Sequence, residues 1–562
     1  YLSSPLSSFS VFLTTRLLCS KLAMTIVEDL SGQRRYDYVI VGGGTAGCVV
    51  ASRLAETLPY ANIIMIEGGA SDFGNENILN LKGLVDLWGS EDYDYEYRSV
   101  PQPFGNSNIL HSRAKMLGGC SSHNGGISFI PFELDLARWQ KLGATGWSHA
   151  DMVRLYNKLR VNIIPVDDRH RSQLVKDWIT TCSNLFNVPI VKDFNQEIAR
   201  NGKLTPATGF LSVSYTPENN HRSSASVAYI HPILRGDEHR PNLTILQKTR
   251  VMKILIRDQT AVGVRVKTDA GKSFNVGASR EVILTAGAID TPRLMLLSGL
   301  GPRSQLESLN IPVVKDLPGV GENLQDHVES MYMWELNEKT PPEQVANGSE
   351  ASLVLRREVL NARGDDGDAI DTMFHMFTVP FDMYTKPMGY ETPKHAFCVI
   401  PYNPRPASVG RMYLKSADPN EKPALDQRYF SDSEGYDKDT NLFMLKAARK
   451  MAQAGPFKNY LKREIAPGPK VTTDEQLCEY GRKVSNTVYH PCGTAKLGDL
   501  RDDPMAVVDP ELRVRGIKSL RVADASVFPC MTSINPMVTV LCIGEKAAEL
   551  IVADSKGLSA VL

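Results

Sequence analysis

A strand, a glycine-rich turn, a helix and a second strand follow one another within residues 36–67, and this unit constrains the fold most. The apolar run 38–41 predicts the first strand, and residues 46–56 have the composition of a helix. The second strand is predicted over residues 63–66 and ends at Glu67. Between strand and helix stands a GxGxxG pattern, formed by Gly42, Gly44 and Gly47. The order and spacing predict a Rossmann-like α/β unit.

The chemistry of this turn points to a dinucleotide. Glycines permit a tight turn and the close approach of a pyrophosphate, while the helix N-terminus offers unpaired N–H groups and a positive dipole end. Thr45 and Ala46 stand at that N-terminus and are candidate phosphate contacts. Glu67 lies 20 residues after Gly47, where a carboxylate can accept hydrogen bonds from a ribose. An adenine dinucleotide is therefore expected, but this unit does not distinguish NAD from FAD.

Composition excludes several classes of protein. The chain has 562 residues, of which 42% are hydrophobic and 22% charged, a mixture typical of a globular protein. Lysine plus arginine equals aspartate plus glutamate at 63 each, which disfavours a nucleic-acid partner. No apolar stretch approaches the ~20 residues that span a bilayer. The nine cysteines include no CxxC pair, so neither a disulfide framework nor a metal site is expected.

The first residues are interpreted separately. Segment 1–27 has no acidic residue, is rich in serine and threonine, and carries Arg16 and Lys21, which is compatible with an organellar transit peptide. The alternative left open is that residues 1–23 do not belong to the native protein. An intracellular, cytoplasmic location is expected, with mitochondrial or other organellar import if the transit peptide is real. Residues 1–29 are treated as an N-terminal extension.

Four further segments carry family motifs. They read RAKMLGGCSSHN at 113–124, GAIDTPRLMLLSGLG at 287–301, NTVYHPCGT at 486–494 and SLRVADASVFPCMTSINP at 519–536. With the N-terminal unit, these segments resemble the glucose–methanol–choline (GMC) oxidoreductase family. That resemblance implies FAD as the cofactor, an alcohol as the substrate, and a Rossmann-like FAD-binding domain beside a substrate domain built on an antiparallel sheet.

Segments of the substrate domain sharpen the resemblance. The runs RSSASVAYIHPI at 222–233, VPFDM at 379–383 and QRYFSDSEGYD at 427–437 are similar to the choline-oxidising members of the family. They imply oxidation of choline to betaine aldehyde and then to glycine betaine, with hydride transfer to flavin N5 and reoxidation by O2. Three alternatives stay open: another small primary alcohol as substrate, a flavin-bound hydroxynitrile lyase, and a binding role without chemistry.

The resemblance also assigns cofactor contacts. In the SSHN motif it implies a covalent bond between FAD and His123, and a bond to histidine withdraws electron density from the flavin and favours hydride acceptance. Further FAD contacts are implied at Gly119, Asn124, Val251, Asp524, Ala525, Asn535 and Pro536.

The catalytic residues implied by the resemblance are His490, Asn535 and His375. Imidazole has a pKa near neutrality, so His490 can accept the hydroxyl proton of the alcohol. Asn535 is a favoured N-cap, and Pro536 is a favoured first helical residue, so a helix is predicted to begin there and run to residue 551. The positive end of that helix would stabilise an anionic reduced flavin. His375 is implied to help hold the substrate oxygen.

For the substrate, the resemblance implies that Glu335 faces the trimethylammonium group, and that Tyr489 and Phe381 form aromatic walls. A quaternary ammonium is recognised by carboxylates and aromatic faces because it cannot donate a strong hydrogen bond. Two departures stand out. Gly125 occupies a position where the choline-oxidising members carry a serine, and the two tryptophans of their cation cage lack clear counterparts, with Leu84 matching one although Trp88 lies close by.

The motif positions divide the chain into two domains. The FAD-binding domain is predicted over residues 30–180, 225–334 and 487–562, and the substrate domain over residues 181–224 and 335–486. The expected partners are the alcohol and O2, without nucleic acid or membrane. The oligomeric state is left open, with a homodimer as one option.

Overall fold

The structure is a computed structural model that describes residues 26–30, 34–357 and 369–557. Most of the predicted N-terminal extension therefore lies outside the described residues. Its end is described: residues 26–27 form an edge strand parallel to Leu243–Leu246 and therefore pair within the first sheet. The boundary of the extension at residue 29 stays a prediction.

The first sheet carries the predicted dinucleotide unit. The first strand is Arg35–Val41, the helix Thr45–Thr57 and the second strand Ile63–Ile66, which confirms the three predicted elements. Strand Ile63–Ile66 is apolar and buried throughout, as expected for a parallel sheet covered on both faces. Along the sheet the strands run in the order Ile26–Val27, Leu243–Leu246, Ile63–Ile66, Arg35–Val41, Ser273–Leu284, Thr260–Thr268 and Thr249–Arg257, and Leu520–Val522 pairs with Ser273–Leu284.

Five of the pairings in this sheet are parallel, and the hairpins at its far edge are antiparallel. The C-terminal helix Met537–Ser555 packs along Thr45–Thr57. Gly544 permits the close approach of the two helices, since an added Cβ there would lie 2.9 Å from Cβ of Val49. The last helix thus begins beside the dinucleotide turn.

The second sheet is almost entirely antiparallel and confirms the expected architecture of the substrate domain. Its nine strands are Leu461–Ala466, Tyr332–Leu336, Ala396–Tyr402, Thr372–Phe377, Ala351–Leu355, Ala207–Phe210 and Ile190–Val191 in spatial order, with Val328–Glu329 and Asn486–Thr487 paired beside Ala396–Tyr402. A separate apolar core is formed where helices Gln173–Phe186 and Tyr436–Met451 cover this sheet.

The remaining elements are short. Smaller strands pair as Ile163–Pro165 with Ser212–Thr216 and His221–Arg222, Tyr97–Arg98 with Leu110–His111, Leu300–Gly301 with Lys315–Asp316, and Arg411–Tyr413 with Ala424–Asp426. The other helices are Glu76–Leu79, Leu84–Leu87, Glu133–Lys141, His149–Tyr156, Phe194–Asn201, Ala225–Tyr229, His231–Arg235, Gly287–Leu297, Arg303–Ser308 and Asp474–Val484.

The division into two domains stays a prediction, although strand pairing bears on one of its boundaries. Strands Val328–Glu329 and Tyr332–Leu336 both pair within the second sheet. The sequence prediction assigned residues up to 334 to the FAD-binding domain. The switch from one sheet to the other therefore occurs by residue 328, so the end of the predicted 225–334 segment lies in the second sheet.

Candidate active site

One large cavity lies between the carboxyl ends of the parallel strands and the second sheet. Ligands of open α/β sheets bind at this edge. Nearly every residue predicted for the site lines the cavity. They are Gly42, Gly44, Thr45, Ala46, Glu67, Gly119, His123, Asn124, Val251, His375, Phe381, Tyr489, His490, Asp524, Ala525, Asn535 and Pro536. Gly47 and Glu335 are the predicted residues that do not line it.

The glycine turn closes the floor of the cavity. Gly42 has φ +102°, and an added Cβ there would lie 2.7 Å from the carbonyl oxygen of Thr285. Gly47 packs beneath the turn, where an added Cβ would lie 2.0 Å from the Gly42 carbonyl oxygen. Gly47 therefore serves helix–strand packing and not direct contact. The helix begins after Gly44 without a side-chain cap, which leaves its first N–H groups available to an anion.

Two carboxylates at this end of the cavity are held by the protein itself. Glu67 accepts hydrogen bonds from the N–H of Gly43 at 2.8 Å and of Gly69 at 2.7 Å, and burial raises the pKa of Glu67 to about 7. Asp524 accepts from the Gly287 N–H at 2.9 Å and from the Thr291 hydroxyl at 2.6 Å. Asp524 thus orients the start of helix Gly287–Leu297. The ribose and pyrophosphate contacts of these two residues stay predictions.

His123 lies on the wall of the cavity in a short polar chain. Its Nε2 is 3.1 Å from the hydroxyl of Ser112, which in turn donates to the buried carboxylate of Asp94. The Trp88 indole N–H donates to the His123 carbonyl oxygen at 3.1 Å and fixes the backbone. Burial lowers the pKa of His123 to about 3, so its imidazole is neutral and keeps a lone pair.

His490 is oriented by a second histidine, which the sequence analysis missed. Nδ1 of His490 is 2.8 Å from Nδ1 of His327. Nε2 of His327 lies 2.9 Å from the Pro404 carbonyl oxygen and 3.1 Å from that of Thr532, so this nitrogen must carry the proton. Nδ1 of His327 is then an acceptor, and Nδ1 of His490 is the donor. Nε2 of His490 consequently holds the lone pair that can accept a proton.

The backbone of His490 is held by the buried carboxylate of Asp326. Its N–H donates to Asp326 at 2.9 Å. The same carboxylate accepts hydrogen bonds from Tyr429 at 2.6 Å and Thr487 at 2.5 Å, and lies 3.1 Å from His111. Although burial opposes ionisation, these partners hold the pKa of Asp326 at about 2. Burial and the neighbouring His327 lower the pKa of His490 well below its usual value, so it is a neutral base at physiological pH.

His375 and Asn535 complete the predicted catalytic group. Both ring nitrogens of His375 are buried without a protein partner, which leaves them to a ligand. Asn535 is not the N-cap that the sequence predicted, because the helix begins at Met537 with Pro536 at the cap position. The Asn535 side chain instead accepts a hydrogen bond from the Tyr402 hydroxyl at 3.3 Å, at the edge of the cavity.

The prediction for Glu335 is wrong. This residue lies on strand Tyr332–Leu336 opposite Arg463, and its carboxylate pairs with Lys462 at 2.8 Å and with Arg463 at 2.7 Å. These two basic side chains are exposed and stand outside the cavity. Glu335 is therefore a cross-strand ion-pair residue of the sheet surface, and it does not face a substrate.

The carboxyl group that does face the cavity belongs to Glu329, six residues earlier. Glu329 is buried and hydrogen-bonded to the hydroxyl of Tyr384. Burial raises the pKa of Glu329 to about 8; the bond from Tyr384 opposes the rise, and the charge of Asp326 adds to it. A buried acid of this kind is costly without a cationic partner. The sequence carried no signal that chose Glu329 over Glu335, because the burial of each acid depends on neighbours that are distant in the chain.

Aromatic rings line the same cavity as this acid. Trp88 lies 4.9 Å from Tyr489 and 5.8 Å from Phe381 between ring centroids, and Phe381 is 5.3 Å from Tyr384. All four side chains line the cavity. Leu84, which was expected to match a cage tryptophan, also lines the cavity, but Trp88 supplies the ring. Among the described residues that line the cavity, Trp88 is the only tryptophan.

The chain is similar to known oxidoreductases along most of its length. GMC oxidoreductase family models match residues 36–329 and 406–544. The chain is 37% identical to choline oxidase of Arthrobacter globiformis over 93% of its length and 95% of the relative, and 33% identical to an alcohol dehydrogenase [acceptor] of Pseudomonas putida over 92% and 96%. The fold matches formate oxidase of Aspergillus oryzae RIB40 with a TM-score of 0.82 at 24% identity, covering 94% of this chain and 100% of that one.

The chain belongs to the GMC oxidoreductase family. GMC oxidoreductases depend on FAD, and this chain is an oxidoreductase that acts on CH–OH groups. The cavity fits that cofactor. Gly287 has φ +84°, and an added Cβ there would meet nothing within 4 Å, while Gly44 and Gly119 leave bare backbone on the cavity wall. No helix in the described ranges is long and apolar enough to cross a membrane.

Proposed function

We propose that this GMC oxidoreductase oxidises choline to betaine aldehyde and then to glycine betaine, with O2 as electron acceptor and H2O2 as by-product. The observation that supports choline as the substrate is the buried carboxyl group of Glu329, which lines one cavity with the rings of Trp88, Phe381 and Tyr489. A carboxylate with aromatic faces compensates the desolvation of a quaternary ammonium, whereas an uncharged alcohol would leave Glu329 buried without a counter-ion.

The residues of the cavity have separate roles in alcohol oxidation. Nε2 of His490 accepts the hydroxyl proton, and His327 fixes the tautomer that makes this transfer feasible. The unpartnered nitrogens of His375 and the amide of Asn535 hold the substrate oxygen. FAD, when bound, would supply the acceptor for the hydride that leaves the alcohol carbon. The start of helix Met537–Ser555 lines the cavity and would stabilise negative charge on the cofactor.

The covalent attachment of FAD is a further part of the proposal. His123 is a neutral imidazole on the cavity wall, held by Ser112 and by the Trp88–carbonyl hydrogen bond. These contacts support a nucleophile in a fixed position. Acid precipitation of the holoenzyme should leave the yellow colour with the protein. Release of all flavin into the supernatant would show that attachment does not occur.

The substrate assignment is tested by comparing choline with 3,3-dimethylbutanol, an uncharged alcohol of the same shape. Glu329→Gln keeps the shape of the side chain and removes its charge. We expect kcat/KM for choline to fall by at least 100-fold, and kcat/KM for 3,3-dimethylbutanol to change by less than fivefold. Glu335→Gln is the matched control, because it removes an equivalent carboxylate on the sheet surface and should leave both values unchanged.

Two outcomes would reject the choline assignment. Wild-type enzyme without preference for the cation would favour another small alcohol, and equal losses for both substrates in Glu329→Gln would show a structural effect.

Stoichiometric H2O2 release, measured against reduction of an artificial acceptor, tests the role of O2. Light scattering after size exclusion tests the homodimer.

A further inference from the structure

A second cavity lies outside the catalytic one and is separated from it by two tyrosines. We call it the outer chamber. Its lining includes Arg98, Tyr384, Glu475, Glu479, Lys483 and Tyr489. Within the described ranges, Tyr384 and Tyr489 are the side chains that line both cavities. The two spaces therefore meet at this pair of rings.

The two tyrosines are joined across the boundary. Their hydroxyl oxygens are 3.2 Å apart, and the Asn486 amide donates to the Tyr489 hydroxyl at 3.4 Å. Tyr384 is also hydrogen-bonded to Glu329, and only 7% of it is exposed. The pair thus closes the catalytic cavity on this side, and the hydroxyl of Tyr384 links the closed arrangement to the buried acid.

The loop that carries Tyr384 is closed by backbone hydrogen bonds. Tyr384 lies in the connection 378–395 between two neighbouring strands, within a turn in which the Asp382 carbonyl accepts from the N–H groups of Thr385 at 3.1 Å and Lys386 at 2.8 Å. These bonds do not involve the Tyr384 side chain, whose hydroxyl is bonded to Tyr489 and Glu329. Rotation of the ring would break the bonds of the hydroxyl and leave the turn intact, so the hydroxyl bonds act as a latch.

We propose that the outer chamber is the antechamber through which the alcohol enters, and that Tyr384 and Tyr489 form the door to the catalytic cavity. The chamber lining carries two acidic side chains, Glu475 and Glu479, and two basic ones, Arg98 and Lys483. It therefore has no charge preference of its own. Selection for a cation occurs in the catalytic cavity, which Glu329 lines. The proposal deepens the proposed function but holds for any alcohol that the enzyme oxidises.

The route is tested by blocking the chamber. Glu475 is exposed and lines the chamber, whereas its neighbour Asp474 is exposed and does not. Glu475→Cys and the control Asp474→Cys are each labelled in the holoenzyme with a bulky aromatic maleimide, and labelling is verified by mass spectrometry. Wild-type enzyme treated identically accounts for the native thiols, including the partly exposed Cys478. Oxygen uptake gives kcat/KM, and anaerobic stopped flow gives the limiting rate of flavin reduction.

We expect labelled Glu475→Cys to lose at least fivefold in kcat/KM for choline and for 3,3-dimethylbutanol, with the limiting reduction rate changed less than twofold. Labelled Asp474→Cys should match wild type. An unchanged kcat/KM in labelled Glu475→Cys would overturn the route, and an equal fall in the limiting rate would show that the label disturbs the site instead. If choline is not oxidised, the proposed function fails, but the route is still tested with the uncharged alcohol.

The door is tested by Tyr384→Phe, which removes the latch and keeps the ring. Easier opening should raise kcat/KM for 3,3-dimethylbutanol at least threefold, whereas kcat/KM for choline also reflects the loss of the bond that opposes the rise in the pKa of Glu329. An effect confined to choline would show that Tyr384 acts only through the charge of Glu329, and this would overturn the door. No change with either alcohol would overturn it as well.

Discussion

The pH dependence of cation selectivity gives the sharpest test of the reading of Glu329. Its pKa is raised to about 8, chiefly by burial. An acid is neutral below its pKa, so Glu329 is largely protonated at pH 7 and gains its charge as the pH rises. Choline needs the charged form, whereas 3,3-dimethylbutanol does not. The ratio of the two kcat/KM values should therefore rise with pH and level off above the pKa.

The size of the effect follows from the cost of ionising the acid. One pKa unit corresponds to about 1.4 kcal/mol, so a pKa near 8 costs about 1.4 kcal/mol at pH 7 and about 2.7 kcal/mol at pH 6. The selectivity ratio should then increase roughly tenfold between pH 6 and 7, roughly fivefold between pH 7 and 8, and little above pH 9. The profile of kcat/KM reports the free enzyme, which is the state described by this pKa.

Oxygen uptake between pH 6 and 9, at constant ionic strength, measures both substrates in one buffer system. Changes in the chemical step cancel in the ratio, and His490 and His375 contribute no titration in this range because burial lowers the pKa of both. Glu329→Gln should give a flat ratio. A flat ratio in the wild type, or the same slope in Glu329→Gln, would refute the argument that Glu329 is the acid that meets the cation.

Three further predictions follow from the cavity. His327→Ala removes the acceptor that fixes the His490 tautomer, so the limiting rate of flavin reduction should fall at least 100-fold with both alcohols, while absorbance shows unchanged FAD content. Gly125→Ser should fold normally, because an added Cβ would lie 3.7 Å from its nearest neighbours, and its hydroxyl should raise the limiting reduction rate at least threefold in stopped flow. His123→Asn should release all its FAD on acid precipitation, whereas wild type retains it.

The dinucleotide unit was predictable because its determinants are local. Strand, turn and helix are set by apolar runs and glycines within residues 36–67, and the structure has them within three residues of the predicted bounds. The same holds for the C-terminal helix, whose start was misplaced by one residue. That shift changes the role of Asn535 from a cap to a cavity residue. Local pattern fixes an element but not the hydrogen-bond partner of its terminal residue.

The substrate acid was not predictable for a different reason. Glu329 and Glu335 lie on consecutive strands of one sheet, and which carboxylate is buried depends on neighbours far away in the chain. Lys462 and Arg463 reach Glu335 from a strand about 130 residues later, while Tyr384 reaches Glu329 from a loop. Strand register is a tertiary property. A resemblance between sequence motifs along this segment could therefore select the wrong acid.

The misreading also explains why the aromatic cage seemed incomplete from the sequence. Position-by-position matching left the two cage tryptophans without clear counterparts and placed Leu84 at one of them. The structure instead gathers Trp88, Phe381, Tyr384 and Tyr489 in the cavity that Glu329 lines. Cation recognition requires a carboxylate and π faces within reach but does not prescribe which elements supply them. The site therefore keeps the recognition chemistry while drawing its rings from other positions, and Tyr384 among them couples that recognition to the closure of the cavity.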